Sequence, residues 1–365
     1  MIYLDHAATT PLCEAARKAI IEHLDDFGNP SSSHELGRKS RVLIEDARER
    51  IAKCINAEPE EIYFTSGGSE SNSWALQDRY PLASSIEHHS IRTGVRIESC
   101  GNGYIAPEDL DKRIKEVNEE FWDGPDTISC MYVNNELGIK HNIKDLAKIA
   151  HKNCAIFHTD AVQALGHVPV DVKDIGCDML SASGHKFGAP KGVGFLYVKN
   201  GIHIKSLIYG GKQEQGIRGG TENIIGIISM AAALEDAVEH MEQRNAYVER
   251  LRDKLLERLL QIPGSCLNGS LENRVPSNIN IRFSGVSGAR LVTLCSLYGV
   301  YISSGSACNE GVSEPSHVLK AIGLTDEEAL SSVRITIGHE NTEEEIDEAA
   351  KIITALVERI RNDDE

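Results

Sequence analysis

Between residues 60 and 205 the chain alternates short apolar runs with stretches whose apolar residues recur every three or four positions. That alternation predicts strands separated by helices, the pattern of a parallel sheet covered by helices. Ahead of it, amphipathic helices are expected at about 14–25 and 34–55, the second presenting Val42, Leu43, Ala47 and Ile51. After it, a long amphipathic helix over about 225–262, carrying Leu251, Leu255 and Leu259, bridges to a second unit. That unit closes on a helix with Ile346, Ile352, Ile353, Leu356 and Ile360 on its apolar face. The division expected is a large domain over 15–262 and a small one made of 1–14 and 263–365. The acidic ends of the last helix, 343–345 and 363–365, read as solvated charge.

The candidate chemistry sits just after the expected strands, where ligands bind in parallel sheets. Lys186 follows the β-like Asp178-Met179-Leu180-Ser181 and precedes Gly188, Pro190 and Gly192, which puts it on a loop. An amine there reads as a surface lysine on a turn or as the partner of a carbonyl cofactor in a Schiff base. Ser183 and His185 offer donors to a phosphate beside it. Asp160, after the apolar Ala155-Ile156-Phe157, is either the N-cap of a following helix or a carboxylate that keeps a cofactor's ring nitrogen protonated. Gln163 could donate to a phenolic oxygen of the same ring. Upstream, Thr65-Ser66-Gly67-Gly68-Ser69-Glu70 follows another strand and opens a helix, a cradle suited to phosphate. It has neither the ending of a Walker A loop nor a G-x-G-x-x-G fingerprint.

Composition narrows the classes. The chain has 365 residues, 41% of them apolar, enough for two domains with proper cores. A net charge of −17 argues against nucleic acid or an anionic membrane as the main partner, because it repels phosphate. No stretch is long and apolar enough to span a bilayer. The nine cysteines are an odd number without C-x-x-C pairs, which suits a reducing cytoplasm and suggests neither a disulfide framework nor a metal site. Cys308 stands apart from the other eight. Its surroundings, Ser303-Ser304-Gly305-Ser306-Ala307 before it and Asn309-Glu310-Gly311 after, are small and polar, so a mobile surface loop with an accessible thiol is expected.

Taken in order, these motifs resemble the cysteine desulfurases of the NifS/IscS-like group within the class V aminotransferases. The resemblance runs from Tyr3-Leu4-Asp5-His6-Ala7-Ala8-Thr9-Thr10-Pro11 and Gly28-Asn29-Pro30 through Thr65–Asn72, Glu87-His88 and Asn134-Asn135-Glu136. It continues through Asp160–Gln163, Ser183–Lys186 and Arg218–Asn223, and ends with Ser303–Cys308 and Val333–Gly338. It implies an α/β fold of fold-type I pyridoxal phosphate enzymes: a large domain with a mainly parallel seven-stranded sheet, plus a smaller α+β domain. The cofactor implied is pyridoxal 5'-phosphate on Lys186, held by Gly68, Ser69, His88, Asn135, Asp160, Gln163, Ser183, His185 and Thr221. Thr221 would reach across from the other subunit of a homodimer. The substrate implied is L-cysteine, with Asn135 and Arg334 at its carboxylate. Lys186 would act as general base, His88 would stack on the ring and handle protons, and Cys308 would take the sulfur as a persulfide. A sulfur-acceptor protein of iron–sulfur cluster assembly or tRNA thiolation would follow.

Within this resemblance, selenocysteine lyase or another class V aminotransferase is the alternative, and Cys308 argues against plain transamination. A non-catalytic scaffold would be expected to lack Lys186, Asp160 or Cys308, and all three are present. Two departures stand out. Gly219 occupies a position where the family usually has serine, and His89-Ser90 follows His88 where a small residue or lysine and then alanine are frequent. The spacing from Cys308 to Glu314-Pro315 suits the long-loop group, and the chain lacks the C-terminal tail that some members use for docking.

Overall fold

The computed structural model describes residues 1–91, 95–97, 102–120, 124–304 and 314–364. Seven strands form the main sheet, in the spatial order Ile62–Thr65, Gly194–Val198, Met179–Ser183, Ile156–Asp160, Thr127–Ser129, Leu82–Ser84 and Val95–Ile97. Six run in one direction; Gly194–Val198 is antiparallel to both of its neighbours. Strands such as Met179–Ser183 and Gly194–Val198 are buried at every position, as expected of a sheet covered on both faces. The five strands that precede the candidate residues all end at the same edge, so those residues gather there without long excursions.

A second sheet of three antiparallel strands, Ser332–Thr336, Asn278–Phe283 and Ser265–Leu267, has its own hydrophobic core. Alternation along these strands sends Ile279, Ile281, Val333 and Ile335 into that core. The opposite face carries a polar row, in which Asn278 pairs with Thr336 and Asn280 with Arg334. Asn278 and Asn280 donate to the carbonyl of Glu136 at 3.0 and 3.2 Å, which brings Arg334 to the edge of the main sheet. The first residues of the chain join the same unit: Ile2–Tyr3 pairs in parallel with Val300–Tyr301.

The helices expected near 14–25 and 34–55 are present as Glu14–Glu22 and Glu35–Cys54. In the second, Ile44, Ala47, Ile51 and Ala52 are buried, but Val42 points outward with 67% of its surface exposed. Val42 lies two positions from Ile44, which places it on the opposite side of the helix. The single helix expected over 225–262 is two, Ile224–Glu239 and Met241–Leu259, divided at His240. The break has a packing cause. Ile227, Met230 and Leu234 belong to the core of the main sheet, whereas Val248, Leu251, Leu255 and Leu259 belong to the second core. The last helix, Glu343–Asp364, buries Ile346, Ile353, Leu356 and Ile360 as expected. Its acidic ends are partly paired rather than simply solvated, Glu343 with Lys254 at 3.3 Å and Asp363 with Arg290 at 2.9 Å.

The loop around Thr221 is fastened by three ion pairs. Arg48 makes a two-pronged contact with Glu214, both N–O distances 2.9 Å, and Glu214 also accepts from the Phe64 amide. Arg218 reaches Glu70 at 3.0 Å, and Arg41 reaches Glu222 at 3.0 Å. Without Glu214, Arg48 keeps as carboxylate partner only the half-exposed Glu45, 3.0 Å from its Nε, and the Phe64 amide loses its acceptor. Glu214→Ala is therefore expected to lower unfolding stability by about 3 kcal/mol, read from denaturant curves; a change below about 1 kcal/mol would contradict this role for the pair.

Candidate active site

A cleft of about 210 Å³ opens at the carboxyl edge of the main sheet. Ten of the expected site residues line it: Gly68, Ser69, His88, Asn135, Asp160, Gln163, Ser183, His185, Lys186 and Arg334. Thr221 does not. It is exposed in a separate depression beside Thr65, Ser66 and Arg218. Cys308 lies outside the described residues, but both flanks of its segment attach to this site. Ser303 and Arg334 exchange backbone hydrogen bonds, and Ser316 Oγ donates to Glu136 Oε2 at 2.6 Å. His317 Nε2 meets the Glu87 carbonyl at 2.9 Å.

Lys186 ends a single helical turn, Gly184–Lys186, directly after the strand Met179–Ser183. Its Nζ donates to the carbonyls of Ala7 and Ala8, both at 2.7 Å. Burial, reinforced by Arg334, lowers its pKa to about 8, with Asp5 and Asp160 pulling the other way. Such an amine is a nucleophile near neutral pH. The surface-lysine reading therefore falls away.

Asp160 is the last residue of its strand and is 4% exposed. It caps no helix: Oδ1 accepts from the Val162 amide at 2.9 Å in a turn, and Oδ2 accepts from Asn72 Nδ2 at 2.7 Å. Burial raises its pKa against those bonds and against nearby His88 and Lys186. A buried carboxylate in this condition favours a cationic neighbour on its open side.

The helix Gly68–Ala75 begins without a side-chain cap, so its first amides stay available to an anion. The approach is close. Gly67 has φ +150°, and a Cβ on Gly68 would lie 2.6 Å from Val162 Cγ2. Arg334, 7% exposed, donates to Asp5 Oδ1 at 2.8 Å and to the Asn135 carbonyl at 3.0 Å. Its Nε is buried with no partner among the described residues. Gln163 Nε2 donates to the Ala7 carbonyl at 2.9 Å, and His185 Nδ1 meets Thr9 Oγ1 at 3.1 Å. Desolvation lowers His185 to about 4. His88 sits at the rim with part of its ring in solvent; desolvation of the remainder lowers its pKa, with Asp160 opposing.

Several participants carried no assigned role in the sequence. Asn72 is one helical turn beyond Gly68 and Ser69, so the helical period could have brought it forward. Asp5, Ala7 and Ala8 gave no such signal, because their contacts span 329, 179 and 178 positions of chain. The cysteines among the described residues divide by burial: Cys130, Cys177 and Cys295 are buried, Cys13 and Cys54 half-buried, and Cys154 and Cys266 exposed.

The family model for aminotransferase class-V matches residues 2–349. The cysteine desulfurase IscS of Methanosarcina thermophila is 40% identical over 382 residues, covering 99% of this chain and 93% of that one. Among solved structures, a NifS-like protein from Rickettsia africae superposes with a TM-score of 0.89 at 30% identity, covering 99% of both chains. SspA in complex with cysteine superposes with a TM-score of 0.78 at 31% identity, covering 94% of this chain and all of that one. The chain belongs to the aminotransferase class-V family, in its cysteine desulfurase branch. Enzymes of this family work with pyridoxal 5'-phosphate. The depressed amine, the buried carboxylate and the uncapped helix start make a donor set that fits an aldehyde bearing a basic ring nitrogen and a phosphate.

Proposed function

We propose that this chain takes the sulfur of L-cysteine onto Cys308 and releases L-alanine, with pyridoxal 5'-phosphate held in the cleft. The observation that carries this reading is the convergence of Lys186, Asp160 and Arg334 on one cleft from three separate strands. When bound, the cofactor supplies the aldehyde that Lys186 holds and the electron-withdrawing ring that loosens bonds at the substrate α-carbon. The protein's own groups do the rest. Gly68, Ser69, Ser183 and His185 hold the phosphate. Thr221, which faces away from its own cleft, is assigned to the phosphate in a second copy, so the working unit is a homodimer.

Asp160 keeps the ring nitrogen protonated, while Asn135 and Gln163 contact the oxygen side of the cofactor. His88 covers the ring and handles protons. Arg334 fixes the substrate carboxylate, to which a planar guanidinium is matched, and Asn135 also contacts the substrate. Lys186 Nζ removes the proton from the substrate α-carbon. The Cys308 thiolate then attacks the substrate sulfur, forming an S–S bond as the C–S bond breaks. The balance is L-cysteine plus Cys308 thiol giving L-alanine plus Cys308 persulfide, with no outside oxidant. A persulfide is reversible, so the sulfur can pass to an acceptor protein of cluster assembly or tRNA thiolation. One flank of the Cys308 segment is bonded to Arg334 and the other to Glu136 and Glu87, the chain neighbours of Asn135 and His88, which supports this assignment.

The test is release of sulfide and alanine from L-cysteine in the presence of a thiol reductant. Cys308→Ala should lose the activity by roughly two orders of magnitude or more. Full-rate release by the variant would assign the sulfur to another nucleophile.

A further inference from the structure

The turn that carries His88 sets Ser90 against the same ring. The Ser90 amide lies 3.2 Å from His88 Nδ1, and Ser90 Oγ lies 2.8 Å from that nitrogen. A backbone N–H can only donate, so Nδ1 accepts and carries no proton. The hydroxyl then donates to Nδ1 too, leaving its oxygen to accept from Asn72 Nδ2 at 2.9 Å. Asn72 directs its other N–H to Asp160 Oδ2 at 2.7 Å, the amide orientation that a carboxylate requires. Each link has one permitted direction. We infer that Ser90 is a positioning residue: it holds His88 as a neutral imidazole with its proton on Nε2, and through Asn72 it ties that state to Asp160.

The inference rests on His88 acting at the substrate, as proposed above. It gives that residue a definite form, a hydrogen-bond donor at the cleft rather than a base waiting to be protonated. A proton placed on Nδ1 would point at the Ser90 amide and force the hydroxyl to abandon its donation. The charged groups facing the ring are mixed: Asp160 favours a charged imidazole, whereas His89 and Lys186 oppose it. Glu87, the preceding residue, turns its carboxylate to the Met131 amide at 2.6 Å. His317 packs on His89, with ring centroids 4.5 Å apart.

The test uses ¹⁵N-histidine NMR on apoprotein and holoenzyme, with His88→Gln assigning the signal, alongside the pH profile of kcat/KM. In the wild type, Nδ1 should appear unprotonated and Nε2 protonated. In Ser90→Ala the backbone amide remains, so Nδ1 should stay unprotonated, but the acid limb of the profile should move up by about 0.5–1 pH unit as the hydroxyl's donation is lost. Ser90→Thr, which keeps the hydroxyl, should restore the wild-type profile. A proton on Nδ1 in the wild type would overturn the inference. So would a Ser90→Ala variant with an unchanged profile. Should His88→Gln keep full kcat, the reading of His88 itself fails. Should His88→Gln lose activity while Ser90→Ala changes nothing, only the role of Ser90 falls.

Discussion

Lys186→Ala should reduce alanine formation by at least about 10³-fold, because in the proposed mechanism one residue supplies both the cofactor attachment and the base, and a general base alone contributes about 10²–10⁴. Lys186→Arg should fail equally: it keeps the positive charge but offers no amine that condenses with an aldehyde. A second readout does not involve turnover. Borohydride followed by peptide mass analysis should fix the cofactor to residue 186 in the wild type and in neither variant. The depressed pKa adds a pH signature. With the amine at about 8, apoprotein should capture pyridoxal 5'-phosphate faster as pH rises toward 8 and level off above it. At pH 7.5 roughly a quarter of such an amine is neutral, against about 0.1% of an ordinary lysine. A capture rate still climbing steeply at pH 10 would show that burial does not lower this amine.

Asp160→Asn should separate activity from stability. The substitution keeps the shape and an acceptor for Asn72, gives up the bond from the Val162 amide, and removes the charge that the proposed mechanism places next to the ring nitrogen. Losing one partner of a buried ionic pair costs about 3–5 kcal/mol, equivalent to roughly 10²–10⁴ in kcat. The apoprotein should respond in the opposite sense. A carboxyl whose folded pKa is raised favours folding in its protonated form, and it loses that advantage as pH rises above its unfolded value of about 3.9. At neutral pH the neutral amide removes this penalty, so apo Asp160→Asn should melt at a higher temperature than apo wild type, with the difference vanishing toward pH 4. Equal kcat, or a destabilised apoprotein, would assign Asp160 a structural role instead.

The sheet, the carboxyl-edge location and most of the cleft were legible in the sequence for physical reasons. Strands buried on both faces read as short apolar runs, and Lys186, Asp160 and Gly68 each follow one. The legible chemistry was local in sequence. What escaped was non-local or a matter of direction. Nothing near Arg334 announces that Asp5 pairs with it, and Ala7 and Ala8 contribute only carbonyls, which every residue has. The division at His240 has no glycine or proline to mark it; it reflects a change of core along one helical stretch. Asn72 and Ser90 were visible as letters, but their hydrogen-bond directions needed geometry.

The amino-terminal strap has a consequence for how the enzyme comes into being. Residues 2–8 are made long before their partners, Val300–Tyr301, Arg334 and Thr336. Even with the main sheet complete, a nascent chain lacks the proposed substrate clamp and the pairing that seats this segment. Catalytic competence should therefore arrive abruptly, only once Thr336 has emerged, sparing the cell a half-made protein that liberates sulfide.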